Sequence, residues 1–474
     1  MQIRRWKLLS LALVVVSTAV ACGASGDSSE EGGDTSTTVE AAAAGDDAAA
    51  FGTLTELCGD GDVRVDPDQQ GIANGKLNLG VATDRNSEVR PGLNSEVWDA
   101  SVAYAEWCNA QGGIGGLEIN LVELNGALFN VEAAMTTACN DVFAMVGGGL
   151  VQDDLEFSGK PGSDFHQCGM IDIPSFAASG EKSGSNGMVQ PVPNTPSTEL
   201  NTLFRDYQQL HPDEAESAVI VYGELPVMET NRDKYQQVLD DVGIEVVGTV
   251  SYPVIGVSDW TPYAQKVMDT GATTLTYVGE PANLANLLAR LKEQGWQGVP
   301  VLQSNMYDPQ LFAAGDAGPD GALVRMPAHP FEEAAEWPAT QQYLDLLDEY
   351  VPDAKISLLG VQSMSAWLLF TTAANACAAA HDGVLDRTCI LEQAANEKAW
   401  TGGGLHAPQE LAPYDEISTG PCTALIRIVD GTFVRAHPEI GGEDDDGDGF
   451  HCPSDGVTTI QGNDVGKVDP NRPI

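Results

Sequence analysis

Short apolar runs separated by amphipathic stretches form the pattern of the first part of the chain. LNLGVAT (77–83) and VFAMV (142–146) are almost wholly apolar, and LEINLVEL (117–124) alternates as a strand does. Residues 96–109 place their apolar side chains at helical spacing, and a second helical stretch covers 131–140. The pattern predicts strand, helix, strand, helix and strand in that order.

The same order recurs in the next part of the chain. Strands are predicted at AVIVY (218–222), IEVVGTV (244–250) and TTLTYV (273–278). The stretches 229–243 and 261–271 between them are predicted helices that end at glycines. Because alternating strands and helices produce parallel sheets flanked by helices, we expect an α/β protein with two similar Rossmann-like lobes.

The loops at the carboxyl ends of these strands are the expected binding region, since ligands of parallel sheets bind there. In this chain they cover 83–92, 147–153, 222–230 and 279–283. We therefore expect ligand contacts from these loops.

The N-terminus has the pattern of a targeting segment. Basic residues at positions 4, 5 and 7 precede an apolar run, 8–20, which is short for a membrane span. Residues 1–21 followed by Cys22 resemble a bacterial lipoprotein signal, in which the cysteine is lipidated; a plain secretory peptide is the alternative. The acidic, small-residue stretch that follows predicts a disordered tether over 22–69.

A second uncharged stretch, 356–380, is long enough to span a bilayer. Its polar residues and the lack of a basic flank favour a buried helix of a lobe instead. The protein is therefore expected to be anchored to a membrane without spanning it.

Charge narrows the function classes further. The 474-residue chain has 69 acidic residues against 23 basic ones, for a net charge of −46. Such a surface repels phosphate backbones, so no nucleic-acid partner is expected and polyanionic substrates are disfavoured. Cations, zwitterions and neutral solutes stay open. The length and a hydrophobic content of 43% predict two or three folded domains.

The cysteines indicate an oxidising compartment. Besides Cys22 there are eight, an even number that allows up to four disulfides, and none lies in a CxxC pair. The protein is therefore expected outside the cytosol, and a redox or zinc role for the cysteines is disfavoured. The spacing of Cys377 and Cys389 is compatible with a local bridge.

No catalytic signature accompanies these patterns. The sequence lacks GxSxG, HExxH, a phosphate loop ending in GK[ST] and GxGxxG after a strand, and its seven histidines are scattered. A non-enzymatic function is therefore expected.

Three motifs, in order, resemble the extracytoplasmic solute-binding proteins of branched-chain amino acid and amide importers, which have the type I periplasmic binding protein fold. They are NAQGGIGG with the strand LEINLVELN (109–125), SDWTPYAQKVMDTGATTLTYVGEP (258–281) and GALVRMPAHPF (321–331). The resemblance covers 76–438. It implies a two-lobe clamp with a three-strand hinge that closes around a small polar solute: an amino acid, an amide or a related zwitterion or cation.

The resemblance also implies partners and boundaries. A monomer would deliver the solute to the permease subunits of an ABC importer; a ligand-sensing receptor component and a calcium-dependent surface interaction protein are the alternatives. The implied divisions are lobe I over 70–193 and 329–405, lobe II over 194–328 and 406–436, and a C-terminal acidic extension over 437–474.

The resemblance places candidate ligand contacts in the first lobe. Family members grip the ligand's carboxylate with a Ser-x-Ala-Ala-Thr loop, which implies contacts from Ser175, Ala177 and Ser179, where serine replaces the threonine. A short loop with unpaired N–H groups is a natural anion site. The serine that family members carry after the third strand's glycine is missing, and Gln152 is the candidate to replace it.

The second lobe departs further from the family pattern. Asn305 lies about where a family glutamate meets the ligand's ammonium group, and a neutral amide is a weaker partner for that charge. Glu280, at the end of its strand, is the candidate source of the missing charge. Further candidate contacts are Tyr222, Tyr307 and Asp84. For the tyrosines the alternative is simple packing, and for the aspartate an ion pair with Arg85.

A calcium loop is predicted close to the C-terminus. Acidic residues occupy positions 1, 3, 5 and 12 of the stretch 444–455 and glycine occupies position 6, the D-x-D-x-D-G spacing whose oxygens converge on a hard cation. The predicted ligands are Asp444, Asp446, Asp448, Phe450 and Asp455. The stretch resembles short extracellular calcium loops in which a nearby cysteine bridges back, which implies a Cys422–Cys452 disulfide; a solvated acidic run is the alternative.

Overall fold

Strands and helices alternate through most of the chain in a computed structural model that describes residues 49–66, 69–154 and 163–462. The strands are β1 (Arg64–Val65), β2 (Ile72–Ala73), β3 (Lys76–Thr83), β4 (Glu118–Asn125), β5 (Ala144–Val146), β6 (Asp172–Ile173), β7 (Thr198–Leu200), β8 (Ser217–Gly223), β9 (Glu245–Tyr252), β10 (Thr274–Val278), β11 (Val299–Leu302), β12 (Leu323–Met326), β13 (Val384–Leu385), β14 (Ala424–Val429), β15 (Thr432–His437) and β16 (Val457–Thr459).

The helices are α1 (Ser95–Ala110), α2 (Val131–Asp141), α3 (Asp164–Gln167), α4 (Gly180–Ser183), α5 (Thr202–Leu210), α6 (Pro226–Val242), α7 (Thr261–Asp269), α8 (Pro281–Glu293), α9 (Pro338–Tyr350), α10 (Leu358–Ala380) and α11 (Arg387–Ala395). Short 3-10 helices cover Ser304–Met306, Pro309–Phe312 and Phe331–Glu333.

The first sheet is built around β3. Strands β4 and β5 pair with β3 in parallel, β6 extends the sheet beyond β5, and the short β2 pairs antiparallel with the start of β3. Helices α1 and α2 both pack on β3, and α10 packs on β5 and β6. Residues 77–83 of β3 are buried because helices cover the sheet.

The second sheet has seven strands in the order β15-β14-β12-β11-β10-β8-β9. Strands β8 to β12 are parallel, and the hairpin of β14 and β15 adds to β12 in the antiparallel direction. The predicted pair of parallel, helix-flanked sheets is therefore confirmed, with an antiparallel edge on the second sheet.

Helix α10 accounts for the uncharged stretch of the sequence. It is buried along most of its length, and Trp367 near its centre is fully buried. In the described part of the chain, no helix combines the length and the apolar character needed to cross a bilayer.

The segment 49–66 is folded, which corrects the prediction of a tether over 22–69. Phe51 is fully buried and its ring lies 6.4 Å from that of Trp107. Cys58 forms a disulfide with Cys108 in α1, and β1 pairs in parallel with β13. Two apolar side chains and one cysteine within an otherwise acidic stretch are enough to attach it to the first sheet. Residues 22–48 lie outside the described residues.

Four disulfides use the eight cysteines that follow Cys22. The predicted Cys377–Cys389 and Cys422–Cys452 bridges are both confirmed. The sequence left the other pairing open, and it is Cys58–Cys108 and Cys139–Cys168. Loops of this length are stabilised by roughly 3 kcal/mol per bridge when the bridge restricts the unfolded chain.

The C-terminal extension is attached to the second lobe. Strand β16 pairs antiparallel with β7, and the side chain of Phe450 is buried. The Cys422–Cys452 bridge joins this region to the segment just before β14.

The chain passes between the two sheets three times: after β6, after β12 and after α11. Two of the passes hydrogen-bond to each other, since Ala407 N–H donates to Pro327 O (2.8 Å) and His329 N–H donates to Leu405 O (3.2 Å). These connections are the hinge between the lobes.

His406 in the third pass is buried in a continuous hydrogen-bond chain. Its Nδ1 lies 2.8 Å from Ala407 O, and its Nε2 lies 2.8 Å from Ser365 Oγ. Ser365 Oγ accepts a hydrogen bond from Trp400 Nε1 (2.9 Å). The carbonyl requires a donor at Nδ1, so in the neutral imidazole Nε2 accepts from the serine. Burial lowers the pKa of His406 to about 4.

This network predicts acid destabilisation of the hinge. The unfolded chain protonates the imidazole near its ordinary pKa of about 6.5, whereas the folded chain keeps it neutral down to about 4. Stability is therefore lost as the pH falls between these values, by an amount on the order of 3 kcal/mol. In urea unfolding at pH 7 and 4.5, His406→Gln should lose less stability than the wild type over this interval. The exposed His381→Gln should behave as the wild type; equal pH slopes for all three proteins would contradict the assignment.

Candidate functional site

A cavity of about 250 Å³ lies at the carboxyl ends of the parallel strands, with walls from both sheets and their loops. The apolar part of its lining includes Leu93, Val151, Phe176, Val192, Val227, Met228, Val278 and Leu359. The charged part consists of Glu96, Glu199, Glu280, Asp308, Arg325 and Lys355. A cleft with an apolar lining from both lobes and a few charged groups is suited to a small amphipathic ligand.

The structure brings three of the nine predicted ligand contacts to this cavity: Ala177, Glu280 and Asn305. Asn305 donates from Nδ2 to Gly279 O (3.0 Å), which fixes its amide beside the end of β10. The other six lie in the protein around the cavity and have partners there.

Asp84 turns away from the cavity and is fully buried. Its carboxylate accepts hydrogen bonds from Leu128 N–H (2.7 Å) and Val151 N–H (2.8 Å). Burial raises the pKa of Asp84, and these two bonds act against that rise. The residue therefore joins two loops of the first lobe. The alternative pair with Arg85 does not form, because that arginine bonds Glu123 through Nε (2.7 Å).

The loop predicted to grip a carboxylate is already occupied by one from the protein. Asp153 accepts hydrogen bonds from Ala178 N–H (2.6 Å) and Ser179 N–H (2.8 Å). The Asp153 side chain is buried, which raises its pKa to about 7. The hydroxyl of Ser179 accepts from Lys182 N–H (3.0 Å) and caps α4, and Ser175 Oγ donates to Leu359 O (2.8 Å). Only Ala177 of the predicted loop contacts lines the cavity.

The remaining predicted contacts are also engaged elsewhere. Gln152 donates from Nε2 to Leu128 O (2.7 Å) and lies at a small recess beside the main cavity. The hydroxyl of Tyr222 accepts from Arg232 (3.1 Å), and Tyr307 is buried with its hydroxyl bonded to Glu332. For both tyrosines the packing alternative describes their position.

Each acidic side chain of the described lining has a basic partner. Lys355 Nζ lies 3.1 Å from Glu96 Oε2 and 2.6 Å from Asp308 Oδ2, and burial raises the pKa of Glu96. Glu199 pairs with Lys234 at 2.7 Å. These acids are therefore engaged within the protein, with Glu96 and Asp308 sharing one lysine.

Arg325 is different from the other charged groups of the cavity. It lies on β12, and its Nε is buried without a hydrogen-bond partner among the residues that the structure describes. An arginine in this position presents a planar fork of donors that matches a carboxylate. Its signal in the sequence is a single charge inside the apolar strand LVRM, a feature that the sequence reasoning did not use.

Arg90 connects the two lobes at the small recess beside the cavity. Its Nε lies 2.7 Å from Glu280 Oε2, and its Nη2 donates to Val254 O. The arginine comes from the loop after β3, whereas both partners follow strands of the second sheet. The charge of Glu280 is thus used in a contact between lobes.

Two of the predicted calcium ligands are engaged with other groups of the protein. Asp455 Oδ2 lies 3.2 Å from Arg205, and Asp446 Oδ2 accepts from Cys452 N–H (2.7 Å). Asp445, which was not a predicted ligand, accepts N–H bonds from Gly441, Gly447 and Gly449 and organises the loop. The calcium site stays a prediction.

Comparisons with known proteins give the same fold. The model of a family described as periplasmic binding protein matches residues 76–412. No curated protein matches the sequence.

Three solved structures illustrate the likeness. A fatty acid ABC transporter substrate-binding protein from Thermomonospora curvata is 18% identical, with a TM-score of 0.64 over 80% of this chain and 96% of that one. A branched-chain amino acid ABC transporter protein from Thermus thermophilus with bound valine is 12% identical, with a TM-score of 0.62 over 77% of this chain and 96% of that one. A branched-chain amino acid substrate-binding protein from Streptococcus pneumoniae in complex with isoleucine is 12% identical, with a TM-score of 0.61 over 77% and 100%.

The family match spans more than half of the chain. The two sheets, the three hinge connections and the cleft between the lobes are those of the type I periplasmic binding fold. The chain belongs to the periplasmic binding protein family, whose members bind solutes outside the cytoplasm.

Proposed function

We propose that this protein captures a monocarboxylic acid with an apolar chain and delivers it to the permease of an ABC importer. The observation that carries the proposal is Arg325, which lines the cavity and whose Nε is buried without a hydrogen-bond partner in the described chain. A ligand carboxylate supplies the missing anion, and the apolar residues of the lining take the ligand's chain out of water.

The arrangement favours an acid over an amino acid or a cation. The acidic side chains that line the cavity are paired with Lys355, Lys234 and Arg90, so no unpaired carboxylate of the described lining is available for an ammonium group. The backbone amides of the predicted carboxylate loop are bonded to Asp153. The sequence predicted an amino acid, an amide or a related zwitterion or cation. The proposal narrows this range to an acid without an ammonium group.

The similar structures support the ligand chemistry. One relative is named for fatty acids, and two others hold valine or isoleucine. These molecules share a carboxylate and an apolar chain. The amino acids also carry an ammonium group, so titrations with hexanoate and with leucine distinguish the two ligand classes.

Membrane anchoring through Cys22 is the second part of the proposal. The basic and apolar residues before this cysteine support it, and a lipid anchor keeps the binding protein close to its permease.

Replacing Arg325 should weaken ligand binding. Isothermal titration with hexanoate should give an affinity roughly 10- to 100-fold lower for Arg325→Gln than for the wild type, because a charge-assisted hydrogen bond contributes about 1.5–3 kcal/mol. Arg325→Lys should retain part of the affinity. Arg232→Gln, outside the cavity, is the matched control and should bind as the wild type.

The same titrations with leucine, an amide and a polyamine separate the ligand classes. Binding of leucine but not hexanoate would overturn the acid assignment while keeping the solute-binding role. Undiminished hexanoate binding by Arg325→Gln would show that this side chain does not hold the carboxylate.

Removing Arg90 should speed ligand release. The Arg90–Glu280 pair joins the lobes beside the cavity, so its loss favours the open form and raises the dissociation rate about 2- to 5-fold, as expected for a partly exposed ion pair. Stopped-flow displacement of the bound acid measures that rate for Arg90→Ala. Arg85→Ala removes an ion pair within one lobe and should leave release unchanged. Equal rates in both variants would rule out a closing role.

The anchor has a direct cellular test. Cys22→Ala expressed in a Gram-positive or Gram-negative host should move the protein from the membrane fraction to the soluble extracytoplasmic fraction. A wild-type protein that is already soluble would favour the secretory-peptide alternative.

A further inference from the structure

A group of histidine and aspartate side chains meets at the junction of the second lobe and the C-terminal extension. Asp206 lies in α5, His437 ends β15, and His451 precedes the cysteine that bridges to Cys422. Asp444, from the loop between the two histidines, reaches the same place. None of these residues lines the solute cavity.

The ligand atoms of the group are closely spaced. One atom each from Asp206, His437 and His451 lie within 4.8 Å of one another. His451 Nδ1 is 2.8 Å from Asp206 Oδ1, and His437 Nε2 is 3.8 Å from the same oxygen and 3.9 Å from Asp444 Oδ2. Ligand atoms around a tetrahedral zinc ion are separated by about 3.4 Å, since each lies about 2.1 Å from the metal. Small side-chain adjustments bring the atoms of Asp206, His437 and His451 to that spacing, and Asp444 is the candidate fourth ligand.

Two atoms of the group are buried without a hydrogen-bond partner in the described chain. They are Nε2 of His437 and Oδ2 of Asp206, whose residues are only 7% and 1% exposed. Leaving a buried polar atom unpaired is costly, and two such atoms in neighbouring side chains indicate a missing partner. The two side chains approach each other, with His437 Nε2 3.8 Å from Asp206 Oδ1, and a cation bound by both side chains supplies that partner.

We infer that this cluster is a structural site for a divalent transition metal, with zinc as the best fit. Two imidazole nitrogens and one or two carboxylate oxygens form a donor set typical of zinc, whereas calcium prefers oxygen ligands alone. The exposed fraction of the Asp444 side chain, 42%, leaves a route from solvent to the cluster. Asp444 then serves this site and is not available as the first ligand of the predicted calcium loop.

The metal joins three segments that are distant in sequence. Helix α5, the end of β15 and the residues next to Cys452 are all held by one ion, which supports the attachment already made by the Cys422–Cys452 bridge. The site therefore stabilises the C-terminal extension against the second lobe and leaves the solute cavity unchanged.

The experiment uses the full chain after treatment with a chelator and extensive dialysis. Isothermal titration with Zn²⁺ should show one site per chain, and the melting temperature should rise by several degrees on addition of zinc. Cobalt in place of zinc should produce the visible absorption bands of a four-coordinate site. Ca²⁺ should not compete with zinc for the site.

His437→Gln is the diagnostic variant, because Nε2 of His437 makes no hydrogen bond that the change would remove in the described structure. The metal-free variant should melt as the metal-free wild type does, and its zinc affinity should be at least tenfold lower. His381→Gln, an exposed histidine near another cysteine pair, is the matched control and should bind zinc normally. Unchanged zinc binding by His437→Gln, or no stoichiometric zinc binding by the wild type, would overturn the assignment.

Discussion

Charge compensation inside the cleft is the constraint on which the proposed ligand chemistry depends. A buried carboxylate without a partner is costly, and the acids of the described lining each lie against a lysine or an arginine. Arg325 stands outside this balance. An incoming acid therefore gives Arg325 a carboxylate partner, and the same step removes the acid's apolar chain from water. The free energy of binding and closure then has two contributions: the pairing of the carboxylate with Arg325 and the burial of the apolar chain.

The need to satisfy buried backbone donors explains why the first lobe differs from its family pattern. The N–H groups of Ala178 and Ser179 require acceptors, and Asp153 supplies both. On the proposed function, carboxylate recognition has moved across the cleft, from backbone amides of the first lobe to a side chain on β12. A guanidinium presents a planar fork of donors that can hold a carboxylate through two parallel hydrogen bonds.

Hydrophobic periodicity was sufficient to predict the order of strands and helices, since each predicted strand from 77 to 278 lies within a few residues of an observed one. Side-chain direction was not available from that pattern. Asp84 follows β3 as expected, yet it points into the protein because Leu128 and Val151 present their N–H groups there. The family resemblance placed the ligand contacts in loops, whereas Arg325 lies within a strand. The tether was predicted too long because composition averages conceal single anchoring residues such as Phe51.

The Cys58–Cys108 bridge has a mechanical consequence. The bridge ties the N-terminal segment covalently to α1 in the first lobe, and Thr53 N–H also donates to Gly403 O (3.0 Å). If the chain is held at Cys22, the first lobe is the anchored lobe and the second lobe moves relative to it. The second lobe would then be free to rotate about the hinge, because the anchored segment is bridged to the first lobe.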